Sequence, residues 1–240
     1  MICVTRLSKY HIIFVFISDI NMEALSEFLQ GYKDIVGSIA SIVTIGQFLA
    51  GGFICKDIYK KGHTEGISSN PFVGGIVIGF LMLKYSVMLN DSAMLVVNSA
   101  AIFLNCLYLL FFFFYCQTRN EVVKAVFIGS AVIVVMLGYA KIESDELVEY
   151  RFGLIVTILM LTLIGSPLLE VQDVIKKQDA SAIPFPIVLC GTVVSFLWLL
   201  YGIILMNDFM IFQNLIGFVL CAVQVVLCVI YPVGKVTKTE

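Results

Sequence analysis

Two asparagines carry the clearest chemistry in this chain. Asn98 and Asn214 lie 116 residues apart, each inside a long apolar stretch. An amide buried without partners costs roughly 2–7 kcal/mol against an apolar reference, so each must meet a neighbour or a ligand. One reading is a hydrogen bond between helices, worth about 0.6 kcal/mol on average in a membrane. The other is recognition. Two amides facing each other across a pseudo-twofold axis offer donors and acceptors on both sides of a cavity, which suits a ring of hydroxyls such as a sugar. Trp198, the only tryptophan, reads either as a membrane-interface anchor or as a stacking wall for the apolar face of such a ring. Its counterpart, three residues before Tyr85, is Met82. Methionine is a pliable apolar filler, so the two walls would differ.

These residues belong to a pattern stated twice. Pro71-Phe72, Tyr85 and Asn98 recur as Pro184-Phe185, Tyr201 and Asn214, with 13 residues from Tyr to Asn in both copies. A bilayer span needs roughly 20 mostly apolar residues. Seven stretches qualify: 35–55, 71–89, 93–116, 122–140, 152–169, 183–206 and 209–231. Three make up each copy, and 122–140 stands between the copies. The expected fold is therefore an all-α membrane protein. Its seven transmembrane helices form two parallel three-helix repeats joined by a linker helix, with the site where the repeats face each other. The expected segments are 1–33 (N-terminal), 34–117 (first repeat), 118–149 (linker helix and loops), 150–232 (second repeat) and 233–240 (tail). Residues 1–21 read as dispensable, because the apolar run 12–17 is too short to span and Met22 offers an alternative start.

Helix breakers recur as well. Ser166-Pro167 interrupts the first span of the second repeat, and the matching positions in the first are Ala50-Gly51. Proline removes a backbone donor and glycine removes Cβ, so both loosen a helix. Pro71 and Pro184 open the second span of each repeat. A proline is tolerated in a first turn, where its missing N–H has no intrahelical partner. Either that explains both, or Gly51, Pro71, Pro167 and Pro184 form one ring of bending points.

Composition excludes several classes. Hydrophobic residues make up 60% of the chain and charged ones 13%, with a mean hydropathy of +1.01, against about 25% charged in soluble domains. The net charge of −2 gives no basic footprint for nucleic acid. The seven cysteines show neither a CxxC pair nor zinc spacing with the two histidines, His11 and His63, so no disulfide, metal or cofactor is expected. No Walker loop, nucleophile–base set or midspan carboxylate pair is present, so the chain does not read as an enzyme or an ATP-driven pump. No Asp, Glu or His lies in the middle of a span; Glu170 and Asp173 sit at the end of the fifth. Ion-driven carriers usually place such groups near midplane, so passive uniport is expected. Counted along the loops, nine Lys and Arg fall on one side and five on the other. That places the C-terminus in the cytosol and the N-terminus outside.

With these motifs in phase, the chain resembles the SWEET (saliva) family of sugar transporters, in its animal branch. The resemblance covers about residues 34–232 and rests on Gly-Ile-Ser-Ser-Asn-Pro-Phe at 66–72, Ser-Pro-Leu at 166–168, Ile-Pro-Phe at 183–185 and Trp198-Leu199-Leu200-Tyr201-Gly202. It implies facilitated, bidirectional movement of mono- or disaccharides by alternating access, with the lipid bilayer and other copies of the chain, as a trimer, for partners. The plasma membrane or the Golgi membrane is the implied location. It implies substrate contacts at Asn98, Asn214, Trp198 and Met82. It implies hinges at Pro71, Pro167 and Pro184, with Gly51 where a fourth proline would stand. It also implies closure near the span-end tyrosines. Tyr85 and Tyr201 would then meet Asp91 or Asp208; otherwise all four are solvated interface residues. A seven-span receptor shares the topology but lacks a three-plus-one-plus-three repeat. The alternative carrier is a PQ-loop-type lysosomal exporter of amino acids. Such carriers usually show Pro-Gln at the bend and an acidic residue for proton coupling, where this chain reads Pro-Phe.

Overall fold

The computed structural model describes residues 22–181 and 183–231, with backbone alone for 163–170. Expectations for residues 1–21, for the tail 233–240 and for the side chain of Pro167 therefore lie outside the described residues. Within them the chain is helical, without strands. The helices are α1 (Met22–Leu29), α2 (Lys33–Phe48), α3 (Gly51–Lys61), α4 (Asn70–Leu89), α5 (Ser92–Tyr115), α6 (Arg119–Ile142), α7 (Asp145–Lys177), α8 (Phe185–Ile204) and α9 (Asp208–Ile230).

Local chemistry sets the helix ends. α3 stops at Gly62, whose φ of 73° suits a residue without Cβ. α4 stops at Asn90, with φ 51°; asparagine is among the few L-residues that take this conformation readily. Asp91 then starts α5 by accepting the Met94 N–H at 2.9 Å. Asn207 starts α9 in the same way from Met210, also at 2.9 Å. Both are side-chain N-caps that satisfy donors the helix cannot.

Among the described residues six helical stretches are long and apolar enough to cross a membrane: 22–61, 70–89, 92–115, 119–142, 185–204 and 208–230. The remaining expected span, 152–169, lies in α7, whose 33 residues extend about 50 Å at 1.5 Å per residue. The first expected span, 35–55, is not one rod; it breaks between α2 and α3 at Leu49-Ala50.

Lipid solvates apolar side chains about as well as a protein core does, so burial follows packing and polar satisfaction rather than hydrophobicity alone. Phe53, Phe127 and Val134 accordingly point outward. Ser41, Thr44 and Thr157 turn inward, and each hydroxyl bonds the carbonyl four residues back at 2.7, 2.6 and 2.8 Å.

α4 packs on α5 and α8 on α9, each pair within one half of the chain. Between the halves, α2 packs on α8 and α4 on α7, while α6 docks against α4. The largest core cluster draws on both halves: Leu81, Tyr85 and Met94 join Phe152, Trp198 and Tyr201. At the opposite end the cores are separate. Ile58, Phe72 and Phe112 cluster with Val122 of α6. Val174, Ile183 and Leu227 cluster within the second half. The halves are thus joined where α5 and α9 begin and packed independently where α3 and α7 end.

Candidate functional site

A cavity of about 320 Å³ lies between the halves, at the lower end of the range for small-ligand pockets. Its lining carries the internal repeat. Of the 19 described lining residues, 16 form eight pairs separated by 116 positions, including Asn98/Asn214, Met82/Trp198, Thr44/Met160, Val97/Gln213 and Gly79/Ser195. Matched positions from the two halves therefore make opposite walls of one chamber. A larger depression, about 910 Å³, opens between the 63–70 loop and the start of α6 and touches none of these pairs.

The two amides are held alike. Asn98 Nδ2 donates to the Met94 carbonyl at 2.8 Å, and Asn214 Nδ2 donates to the Met210 carbonyl at 2.9 Å. Because a carbonyl only accepts, the nitrogen must face the helix, which directs each Oδ1 away from it. Asn98 also donates to Ser86 Oγ at 3.2 Å. Both side chains are half-buried and line the cavity. Hydrogen bonding within each helix fixes their orientation; no bond between these two amides occurs among the described residues.

Trp198 is not an interface anchor. It is 9% exposed, and its Nε1 donates to Thr44 Oγ1 at 2.8 Å across the boundary between the halves. Its ring meets Tyr201 edge-on, 5.6 Å between centroids at 84°, a favourable arrangement for aromatic quadrupoles. Thr44 thus fixes the indole plane, a role not legible beforehand. Met82 lines the cavity at the matching position.

Two hydrogen bonds at the joined end are crossed between the halves. Tyr201 donates to Asp91 Oδ2 at 2.7 Å, and Asn207 Nδ2 donates to Tyr85 Oη at 2.8 Å. Each tyrosine therefore reaches the N-cap of the other half's last helix. Tyr85 and Tyr201 are 2% exposed and Asp91 is 3% exposed, so they are not solvated interface residues. Asp208, expected opposite the tyrosines, is displaced from that role by Asn207 one residue earlier. The N-cap residue folds back over its helix start, and that position faces Tyr85. The signal was available, since Asp91 plus 116 is Asn207. Glycines make room for the crossing. A Cβ on Gly37 would meet Tyr201 at 2.8 Å, and one on Gly153 would meet Phe209 at 2.7 Å and Tyr85 at 3.1 Å. Gly37 and Gly153 are again 116 apart.

The four breaker positions differ. Gly51 opens α3 directly after the break, and a Cβ there would lie 2.5 Å from the Tyr108 ring. The Tyr108 hydroxyl donates to the Phe48 carbonyl at 3.2 Å, next to the interruption of the helix. Pro71 stands in the first turn of α4, and Pro184 is the N-cap of α8. Pro167 lies within 163–170, through which the α7 backbone stays helical. Outside the spans, Glu143 accepts from Arg151 at 2.6 Å and from Tyr139 at 2.8 Å. The Arg151 hydrogen bond first, then that of Tyr139, holds the Glu143 carboxyl down at about 2. Among the described residues no group of three His, Cys, Asp or Glu could hold a metal.

The family described as "Sugar efflux transporter for intercellular exchange" matches twice, over residues 34–120 and 150–236. The two matches begin 116 residues apart. "Sugar transporter SWEET1" of Drosophila pseudoobscura pseudoobscura is 28% identical over 203 residues, covering 83% of this chain and 89% of that protein. "Sugar transporter SWEET1" of Caenorhabditis elegans is 28% identical over 203 residues, covering 84% and 67%. "Bidirectional sugar transporter SWEET10" of Arabidopsis thaliana is 29% identical over 181 residues, covering 72% and 62%. A eukaryotic SWEET transporter solved at 3.7 Å shares the fold, with a TM-score of 0.77 and 22% identity over 85% of this chain and 98% of that one. The chain belongs to the MtN3/SWEET family of membrane transporters, which are not enzymes.

Proposed function

We propose that this chain is a facilitative, bidirectional sugar uniporter that works by alternating access, with Asn98 and Asn214 hydrogen-bonding the sugar and Trp198 stacking on it. The observation that carries this reading is the pair of amides, matched by the 116-residue offset, on opposite walls of one chamber. The named relatives are sugar transporters, some of them bidirectional. Each Oδ1 accepts from a sugar hydroxyl, and the second N–H of Asn214 donates to a sugar oxygen, whereas that of Asn98 is taken by Ser86. One such bond contributes about 0.5–1.5 kcal/mol net. A few of them give an affinity near millimolar, about −4 kcal/mol, weak enough to release the sugar on either side.

The crossed tyrosine bonds close one end, and the separately packed cores at the other leave the halves free to part there. In the opposite state the tyrosine bonds break and the far end closes by bending near Gly51, Pro71, Pro167 and Pro184. The tyrosine end is extracellular in this reading, with the N-terminus outside, in the plasma or Golgi membrane and as a homotrimer. Lipid and sugar are its other partners.

Chemistry disfavours the amino-acid exporter. An amino acid carries a carboxylate and an ammonium group, and among the described lining residues none is Asp, Glu, His, Lys or Arg. The same lack of titratable groups supports uncoupled transport. Uptake of glucose into proteoliposomes, with and without an imposed proton gradient, tests both points. The expected result is equilibration at one internal concentration in both cases, with no uptake of lysine or cystine. Accumulation above equilibrium driven by the gradient would overturn the uniport reading.

A further inference from the structure

Among the described residues, two lining positions have no partner in the cavity at the 116-residue offset, Gly75 and Asn105, and Phe48, whose match is position 164, lines it beside them. All belong to the first half. By direction along their helices they share one layer. Phe48 ends α2, Gly75 lies in the second turn of α4, and Asn105 follows Asn98 by seven residues along α5. Seven residues are two turns, so the two amides share a helix face about 10 Å apart at 1.5 Å per residue. The layer lies beyond Asn98 and Asn214, away from the tyrosine bonds.

Asn105 is placed as the other two amides are. Its Nδ2 donates to the Ala101 carbonyl at 2.8 Å, which turns Oδ1 away from that carbonyl. A Cβ built on Gly75 would come within 2.6 Å of Asn105 Oδ1 and 2.7 Å of Nδ2. Glycine at that point is what allows the amide to lie flat against α4. In the second half the same positions hold Gly191 and Cys221, with 3.3 Å from a built Cβ to Sγ. A thiol there offers no comparable donor and acceptor pair.

We infer that Asn105 and Phe48 form a second-ring subsite, so that the cavity takes a two-ring saccharide lengthwise, one ring at Asn98 and Asn214 and the next at Asn105. This rests on the sugar reading above and sharpens it. Asn105 supplies hydrogen bonds to hydroxyls of the second ring, and Phe48 supplies an apolar face for it. A single-ring sugar held by the paired amides does not reach Asn105.

Counterflow of glucose and of maltose, which is two glucose units, isolates the second ring. Proteoliposomes would carry wild type, Asn105→Ala, Asn105→Cys and Gly75→Ala. Asn105→Cys installs the residue of the other half, so it keeps a packing already present in this protein. Gly75→Ala displaces the amide without removing it. The expected result is maltose counterflow in wild type, with half-saturation raised roughly two- to tenfold in the variants, the size of one neutral hydrogen bond. Glucose half-saturation stays within twofold. An equal change for both sugars in the folded variants, or no change for either, overturns the subsite. Wild type that carries glucose but not maltose also overturns it and leaves the sugar reading intact. Wild type that carries neither sinks both.

Discussion

Removing the Tyr201 hydroxyl opens the tyrosine end by an amount the geometry bounds. In Tyr201→Phe the Asp91 carboxylate keeps its bond from the Met94 N–H through Oδ1 but loses the 2.7 Å donor on Oδ2. Both partners are nearly fully buried, so water does not replace the donor while the end stays closed. A hydrogen bond to a charged group contributes roughly 1.5–3 kcal/mol. The closed state loses that much while the open state, where water reaches Asp91, loses little. The open fraction therefore rises roughly 10- to 150-fold. Tyr85→Phe removes a bond between neutral groups, worth roughly 0.5–1.5 kcal/mol, for a rise of only about two- to tenfold. The assay is labelling of Met82→Cys, in a background without native cysteines, by an impermeant thiol reagent applied from the tyrosine side. If opening is fast relative to labelling, the rate tracks the open fraction. Labelling of Tyr201→Phe at the parental rate, or a larger effect from Tyr85→Phe, would refute the crossed-gate reasoning.

Further outcomes follow from single contacts. Gly51→Ala forces a Cβ against the Tyr108 ring and costs about 1–3 kcal/mol by overpacking; the melting temperature in detergent falls, and adding Tyr108→Ala restores part of it. Thr44→Ala strips the acceptor from the Trp198 indole and weakens glucose binding roughly two- to tenfold, whereas Thr44→Ser preserves it. Because Trp198 is the only tryptophan, intrinsic fluorescence reads that binding directly. Glu143 has its folded carboxyl held at about 2, below the ordinary value of about 4.3. Its contribution is therefore fully present above the ordinary value and lost progressively as pH falls from there through the folded one. Hydrogen exchange of the α6–α7 turn, corrected for intrinsic rates, should stay flat from pH 7 to about pH 5 and rise progressively below it; exchange that stays flat down to about pH 3 would count against the Arg151 contact.

What could be read beforehand was what the repeat writes twice. Asn98 with Asn214 and Met82 with Trp198 announce themselves as rare or mismatched residues at one offset. They line one cavity. The same offset would have found Asn207 through Asp91, and Gly37 with Gly153, but glycine and a short polar residue at a loop are common enough to pass unnoticed. Thr44 was hidden for another reason. In a bilayer every helix face is apolar, so periodicity does not separate the lipid face from the packed face, and a threonine that bonds its own helix looks like any other. The break at Leu49-Ala50 showed in the sequence only as a glycine. Its stabilising partner, Tyr108, sits on another helix, beyond the reach of local pattern.

The most direct test of the central claim is glucose counterflow in proteoliposomes, wild type beside Asn214→Ala, with folding of the variant checked by its melting temperature. If the paired amides hold the sugar, wild type exchanges glucose and the folded variant loses it. Equal exchange in both would contradict that claim and move the site away from the matched asparagines.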